Sequence, residues 1–111
     1  MSNKIKLVQG DTGPQIKLTL TNQVTGAPID LTSATVTLHF RAVGSDTVIF
    51  SRAAYINPDT DTTGICYLEW EAGDLDVEEG DYEGEIEVIK GDGQRETIYE
   101  LLKFKVRKDF A

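Results

Sequence analysis

The sequence predicts an all-β protein, an antiparallel immunoglobulin-like β-sandwich of about seven to nine strands. Three observations predict it. Apolar and polar residues alternate with a period of two in segment after segment, the pattern of a strand with one face on a core and one in water. Turn residues interrupt that pattern at intervals of roughly 8 to 12 residues, the spacing of a sandwich. Residues 30–34 could hold one helical turn, too few for a helix, and no other segment reads as helical. An open up-and-down barrel is the runner-up architecture.

The clearest alternation lies in residues 63–88. Cys66, Leu68 and Trp70 share one face of a first strand, and Tyr82, Gly84, Ile86 and Val88 share one face of a second. The other face of the second strand is acidic, with Glu83, Glu85 and Glu87. A turn-rich acidic connection with Gly73 and Gly80 joins the two. The parity of Trp70 makes it a core residue, and Cys66 reads as a small buried one.

The chain opens with Ile5 and Leu7 alternating with lysines. Gly10, Asp11, Thr12, Gly13 and Pro14 then impose a kink. Ile16, Leu18 and Leu20 resume the alternation, so the two halves can serve different sheets. A turn around Thr25 and Gly26 precedes Val36, Leu38 and Phe40. After Gly44, Ser45 and Asp46, residues 47–52 form a strand in which Val48 and Phe50 compete with Ile49 for the core. Residues 53–57 either continue it or form a short strand of their own, so Tyr55 has no fixed face. Leu102, Phe104 and Val106 form the last run. The chain reads as one domain over residues 1–111, with short disordered ends at 1–3 and 108–111.

The hairpin at Gly91, Asp92 and Gly93 joins strands whose inward residues are all even-numbered, so its loop must hold an odd number of residues. A loop over residues 92–94 puts Val88 opposite Ile98, Gly84 opposite Leu102 and Tyr82 opposite Phe104. Glu83 then meets Lys103 and Asp81 meets Lys105, while Glu85 and Glu87 lack basic partners beside Tyr99 and Leu101. A bulge between Tyr99 and Leu102 would shift the later pairs by one residue.

Composition narrows the function. The net charge of -8 argues against nucleic acid or an anionic membrane as partner. No apolar run approaches a membrane span, and residues 1–11 show no secretory signal. One cysteine allows no internal disulfide. The single histidine, His39, reads as outward on its strand, away from inward Cys66, so no nucleophile–base pair is expected. Asp59, Asp61, Thr63 and Gly64 fit the first half of a calcium loop, but Trp70 stands where a bidentate glutamate is needed. No catalytic, cofactor or metal residues are expected, and the protein reads as non-enzymatic.

Two resemblances add to this. Residues 78–82, ending in Tyr82, resemble the corner of immunoglobulin-like domains, where a tyrosine hydroxyl bonds back to upstream backbone. Nearly the whole chain resembles the N-terminal domain of phage baseplate upper proteins and related small phage or prophage tail proteins. Gly10, Asp11, Thr12 and Pro14 carry that resemblance, with the strand from Ile16 to Leu20. So do residues 28–36, then Gly64, Trp70, Asp74, Gly80, Tyr82, Glu85 and Val88, with Gly93, Glu96 and Thr97 in the last hairpin. The resemblance implies a structural protein of the virion tail or baseplate, made in the host cytoplasm. It would dock onto other tail proteins, with self-association open, no cofactor, no nucleic acid and no membrane. Gly10, Asp11, Pro14, Trp70, Gly80 and Tyr82 would be structural, and Glu85, Glu87, Tyr99 and Leu101 the contact patch. The family's trimeric shaft lies beyond what this chain matches. The alternative is an immunoglobulin-like adhesion or carbohydrate-binding module, which needs exposed aromatics on one face. Its candidates are Tyr55, Tyr67 and Tyr99.

Overall fold

The computed structural model describes residues 4–13, 15–22, 24–98 and 101–110. Among the described residues, eight strands form two sheets. The larger sheet has the order β1 (Ile5–Val8), β8 (Leu102–Arg107), β6 (Gly80–Ile89), β3 (Thr35–Ala42) and β4 (Phe50–Ala53), and β7 (Arg95–Thr97) extends the β8 side of β6. The smaller sheet pairs β2 (Ile16–Thr19) with β5 (Ile65–Leu68). Every pairing is antiparallel except β1 with β8, which run parallel. The expected kink after β1 therefore sends the first two strands into different sheets. This is an immunoglobulin-like sandwich, as the alternation predicts.

The even-numbered residues of β3, β6 and β8 form the inner face. Val36, Leu38, Phe40, Ile86, Val88, Phe104 and Val106 are all buried, as are Leu18, Leu68, Trp70 and Tyr82 from the facing elements. Phe40 lies at the centre. Its ring stacks on Phe50 at 4.9 Å and Tyr82 at 5.1 Å, and meets Phe104 at 5.2 Å and the edge of Trp70 at 5.8 Å. Phe50 thus wins the contest in its strand, and Val48 and Ile49 stand exposed. Connections between strands also bury Ile29, Leu31 and Leu75, which lie outside every strand.

Tyr82 makes the corner. Its hydroxyl donates to the Glu78 carbonyl at 2.5 Å, tying β6 to the connection that crosses between the sheets. Burial, then the Glu78 charge, push the phenol's pKa up.

Part of the expected hairpin register is corrected. Lys90 N–H donates to Gln94 O at 2.8 Å, so the loop is residues 91–93 rather than 92–94. Val88 pairs with Glu96, and Ile98 N–H donates to Ile86 O. The loop still holds three residues, with Gly93 in the left-handed region at φ 88°. Two extra residues fall between Ile98 and Leu102, and the later pairs Gly84–Leu102, Tyr82–Phe104, Glu83–Lys103 and Asp81–Lys105 stand as predicted. The step of two keeps every side chain on its face.

Gly64 has the tightest backbone site. It sits at φ 75°, and a Cβ there would lie 2.3 Å from the Leu20 carbonyl oxygen. Leu20 N–H donates to Gly64 O at 2.8 Å, so that close approach anchors β2 beside β5. Gly64→Ala should cost about 1–3 kcal/mol from overpacking plus about 1–2 kcal/mol for the left-handed conformation. Gly93→Ala, with open space around its Cβ, should show only the second cost. Urea unfolding of both variants checks the difference, and equal losses would contradict it. Tyr82→Phe should lose about 1 kcal/mol while keeping the fold, as removal of one hydrogen bond requires.

Candidate binding site

The chain changes sheets between residues 50 and 55, and the candidate site forms there. Phe50 to Ala53 run along the edge of the larger sheet, and Ala54 N–H still donates to Val36 O at 2.8 Å. One residue later, Tyr55 exchanges both backbone hydrogen bonds with Tyr67 of β5, at 2.8 and 2.9 Å. The two tyrosine rings stand side by side on the outer face, with centroids 6.5 Å apart and planes tilted by 34°. Tyr55 is 54% exposed. Lys17 pairs with Tyr67 on the other flank, and Gln15 Nε2 donates to Glu69 Oε1 at 3.0 Å.

Alternation cannot show what fixes this crossing. Arg52 shares the inner face of its strand, opposite Leu38. Its guanidinium turns toward the connection between the sheets. There Nε and Nη2 donate to Asp74 at 3.1 and 2.5 Å, and Nη1 lies 2.6 Å from Glu71 Oε2. Asp74, itself buried, also accepts the Glu71 N–H at 2.8 Å. The hydrogen bonds to Asp74 push the guanidinium's pKa further up. Arg52, Tyr55, Tyr67, Glu69, Trp70 and Glu71 together line a shallow cleft. The buried Trp70 Nε1 has no acceptor among the described residues.

The outer face of the larger sheet carries polar ladders. Glu83 is buried and accepts from Arg41 Nε at 2.7 Å and from Lys103 Nζ at 3.3 Å. His39 is outward, with Nδ1 2.7 Å from Ser51 Oγ and Nε2 3.7 Å from Glu87 Oε1. The second distance is too long for the hydrogen bond that would orient a catalytic base. Cys66 is buried in the core, and burial pushes its thiol pKa up to about 11, so it is inert. Among the described residues no group of three or more His, Cys, Asp or Glu side chains is placed to hold a metal ion. The loop with Asp59 and Asp61 instead forms a 3-10 turn, Asp61–Thr63, whose Asp61 carbonyl accepts from Leu31 N–H.

In the expected contact patch, the expectation that Glu87 lacks a basic partner is corrected. Glu85 is exposed, but Glu87 has Arg95 Nε at 2.6 Å besides His39. The observed register puts Arg95 opposite Ile89, within diagonal reach of Glu87. Leu101 is half-buried just before β8, and Tyr99 lies outside the described residues. Gly10 N–H donates to Leu75 O and Asp11 N–H to Val8 O, closing the turn after β1. Gly80 opens β6, and Pro14 lies outside the described residues. Residues 108–110 are described, exposed and without regular structure.

No protein-family model matches the chain, and no curated protein matches it. Among solved structures it is similar to the crystal structure of CopC from Methylosinus trichosporium OB3b. That match has a TM-score of 0.52 at 14% identity, covering 96% of this chain and 86% of that one. The likeness is one of fold. It overturns the phage baseplate resemblance, and with it the tail-protein function. The residues that carried it hold turn and core positions of the sandwich itself: Gly10 the first turn, Gly64 the β2 contact, Trp70 the core and Tyr82 the corner. They report a fold and not a lineage.

Two outcomes follow from the charge pairs. Asp74→Ala leaves Arg52 without its main partner and should cost about 2 kcal/mol, the scale of charge-assisted hydrogen bonds, in chemical denaturation. An unchanged midpoint would contradict the pairing. Hydrogen bonding from Arg41 holds the Glu83 carboxyl below its ordinary value of 4.5, against the opposing effect of burial. A lowered pKa contributes stability that is present above that value and lost as pH falls through the folded one. Unfolding free energies measured against pH should fall more steeply below pH 4.5 in the wild type than in Glu83→Gln. Parallel curves would contradict this.

Proposed function

We propose that the protein is a non-enzymatic carbohydrate-binding module whose contact face is the cleft around Tyr55 and Tyr67. The carrying observation is the pair of adjacent tyrosine rings on the outer face of the smaller sheet. The faces of aromatic rings are negative, and the C–H faces of a pyranose ring are apolar and slightly positive, so the two stack. Tyrosine supplies that contact with little conformational entropy to lose. Glu69 and Glu71 provide acceptors for sugar hydroxyls at the rim, and Lys17 provides a donor.

Binding without hydrolysis suits the carboxylates. Glu69 and Glu71 both stand exposed. A glycosidase needs one carboxyl kept protonated by a water-excluding site and a second ionised beside it. The reading requires no cofactor, nucleic acid or membrane.

The chain carries one tryptophan, Trp70, which lines the cleft and serves as an intrinsic probe. A panel of neutral oligosaccharides titrated against its fluorescence should give saturable binding. Tyr55→Ala should weaken that binding about tenfold or more, the effect of an aromatic hot spot. Tyr55→Phe should retain most of it, and neither change should move the melting temperature appreciably, because this ring is largely exposed. A panel without any binder, or full affinity in Tyr55→Ala, would overturn the reading.

A further inference from the structure

The acidic chain carries one strongly basic strip. Six of its eleven Lys and Arg residues (Lys4, Lys6, Lys103, Lys105, Arg107 and Lys108) fall within residues 4–8 and 101–110. Those segments hold a single acidic residue, Asp109, and the other eighteen lie elsewhere. The two segments adjoin because β1 pairs with β8. In that parallel ladder Lys6 stands directly opposite Lys105 on the outer face, while Leu7 and Val106 face the core. Like charges opposed in a ladder are destabilising. Lys4 is relieved by Asp81 at 3.0 Å and Lys103 by Glu83 at 3.3 Å. Lys105 feels the Asp81 charge, but among the described residues neither it nor Lys6 has a carboxylate at ion-pair distance. Arg107 spends one donor on the Lys108 carbonyl and lies over the Phe110 ring at 5.1 Å.

The same strip borders a free sheet edge. β1 ends the order of the larger sheet, and among the described residues no strand pairs with its outer side. Alternate backbone N–H and C=O groups of such a strand point away from the sheet, ready to pair with an extended chain. Lysines on an edge strand discourage pairing with another copy of the same basic edge, and they favour a strand of opposite charge.

We propose that the β1 edge docks an extended acidic peptide segment of a partner protein, which adds to the sheet beside β1. The added strand bonds β1 through its main chain. Its alternate carboxylates lie on the outer face against Lys6 and Lys105 and relieve their opposition. This surface is separate from the tyrosine cleft, which lies at the opposite end of the larger sheet where β4 crosses to the smaller one, and does not depend on the sugar reading.

Fluorescence anisotropy with short labelled peptides tests it on the intact chain. A peptide of alternating Glu and Val should bind. Its binding should weaken about tenfold or more in Lys6→Glu/Lys105→Glu, and also when salt is raised to about 0.5 M. The same peptide N-methylated at alternate amides should lose binding, because it cannot complete the ladder. The milder Lys6→Gln/Lys105→Gln should give an intermediate loss, and unchanged melting temperatures should show both variants folded. Failure of the acidic peptide to bind would overturn the proposal. So would undiminished binding of the N-methylated peptide, or tighter binding of an acidic polysaccharide than of the peptide, since either would make the strip a general polyanion surface.

Discussion

The Arg52–Asp74 ion pair holds the chain at the point where it passes from one sheet to the other. A charged residue on the inner face of an edge strand is costly unless it is paired. Here the guanidinium is answered at once by Asp74 and Glu71, both from the connection that crosses back between the sheets. Such a pair adds little net stability over an apolar packing, because desolvation offsets its Coulombic gain. Its effect is positional. It fastens residues 50–55 to residues 71–74, and Tyr82 fastens the same connection from its other end through Glu78. The tyrosine cleft lies directly on this fastening, so its rings are held in place before any ligand arrives. Pre-organisation of that kind lowers the entropic cost of binding.

What was legible in the sequence follows from period two. Wherever a strand is half-buried, parity assigns faces, so the inner residues of β3, β6 and β8 could be read directly, and Trp70 with them. Parity also required an odd hairpin loop. It could not choose between residues 91–93 and 92–94, because both choices keep every side chain on its face. Ile29, Leu31 and Leu75 were not legible, since they are buried from connections and belong to no strand whose parity would assign a face. The Arg52–Asp74 pair was invisible for the same reason: its partners are distant in sequence, and a polar residue at an inward position looks like an interruption. Tyr55 had no readable face because its strand changes sheets at Ala54. The second residue of the aromatic pair, Tyr67, reads as outward because it alternates with Cys66 and Leu68, but nothing in the sequence places the two tyrosines together.

The family resemblance teaches a related lesson. In this chain a turn glycine, a core tryptophan and a corner tyrosine each hold a position of the sandwich itself. Residues selected by the architecture are weak witnesses to ancestry. The residues on which function is argued are elsewhere, on surfaces the fold leaves free. The tyrosine pair occupies the outer face of the smaller sheet, and the basic strip occupies one edge of the larger. Two other edges carry a charge, inward Arg52 on β4 and Lys17 on β2, a common way for sheets to avoid indiscriminate pairing.

The central claim is that one charge pair positions the crossing segment and so the cleft. Amide hydrogen exchange in Arg52→Met, compared with the wild type, tests it most directly. Loss of the pair should accelerate exchange at the Tyr55 and Tyr67 amides, which bond each other across the crossing, and leave the amides between β6 and β8 protected. Unchanged protection at Tyr55 and Tyr67 would show that the crossing holds itself, and would contradict the account.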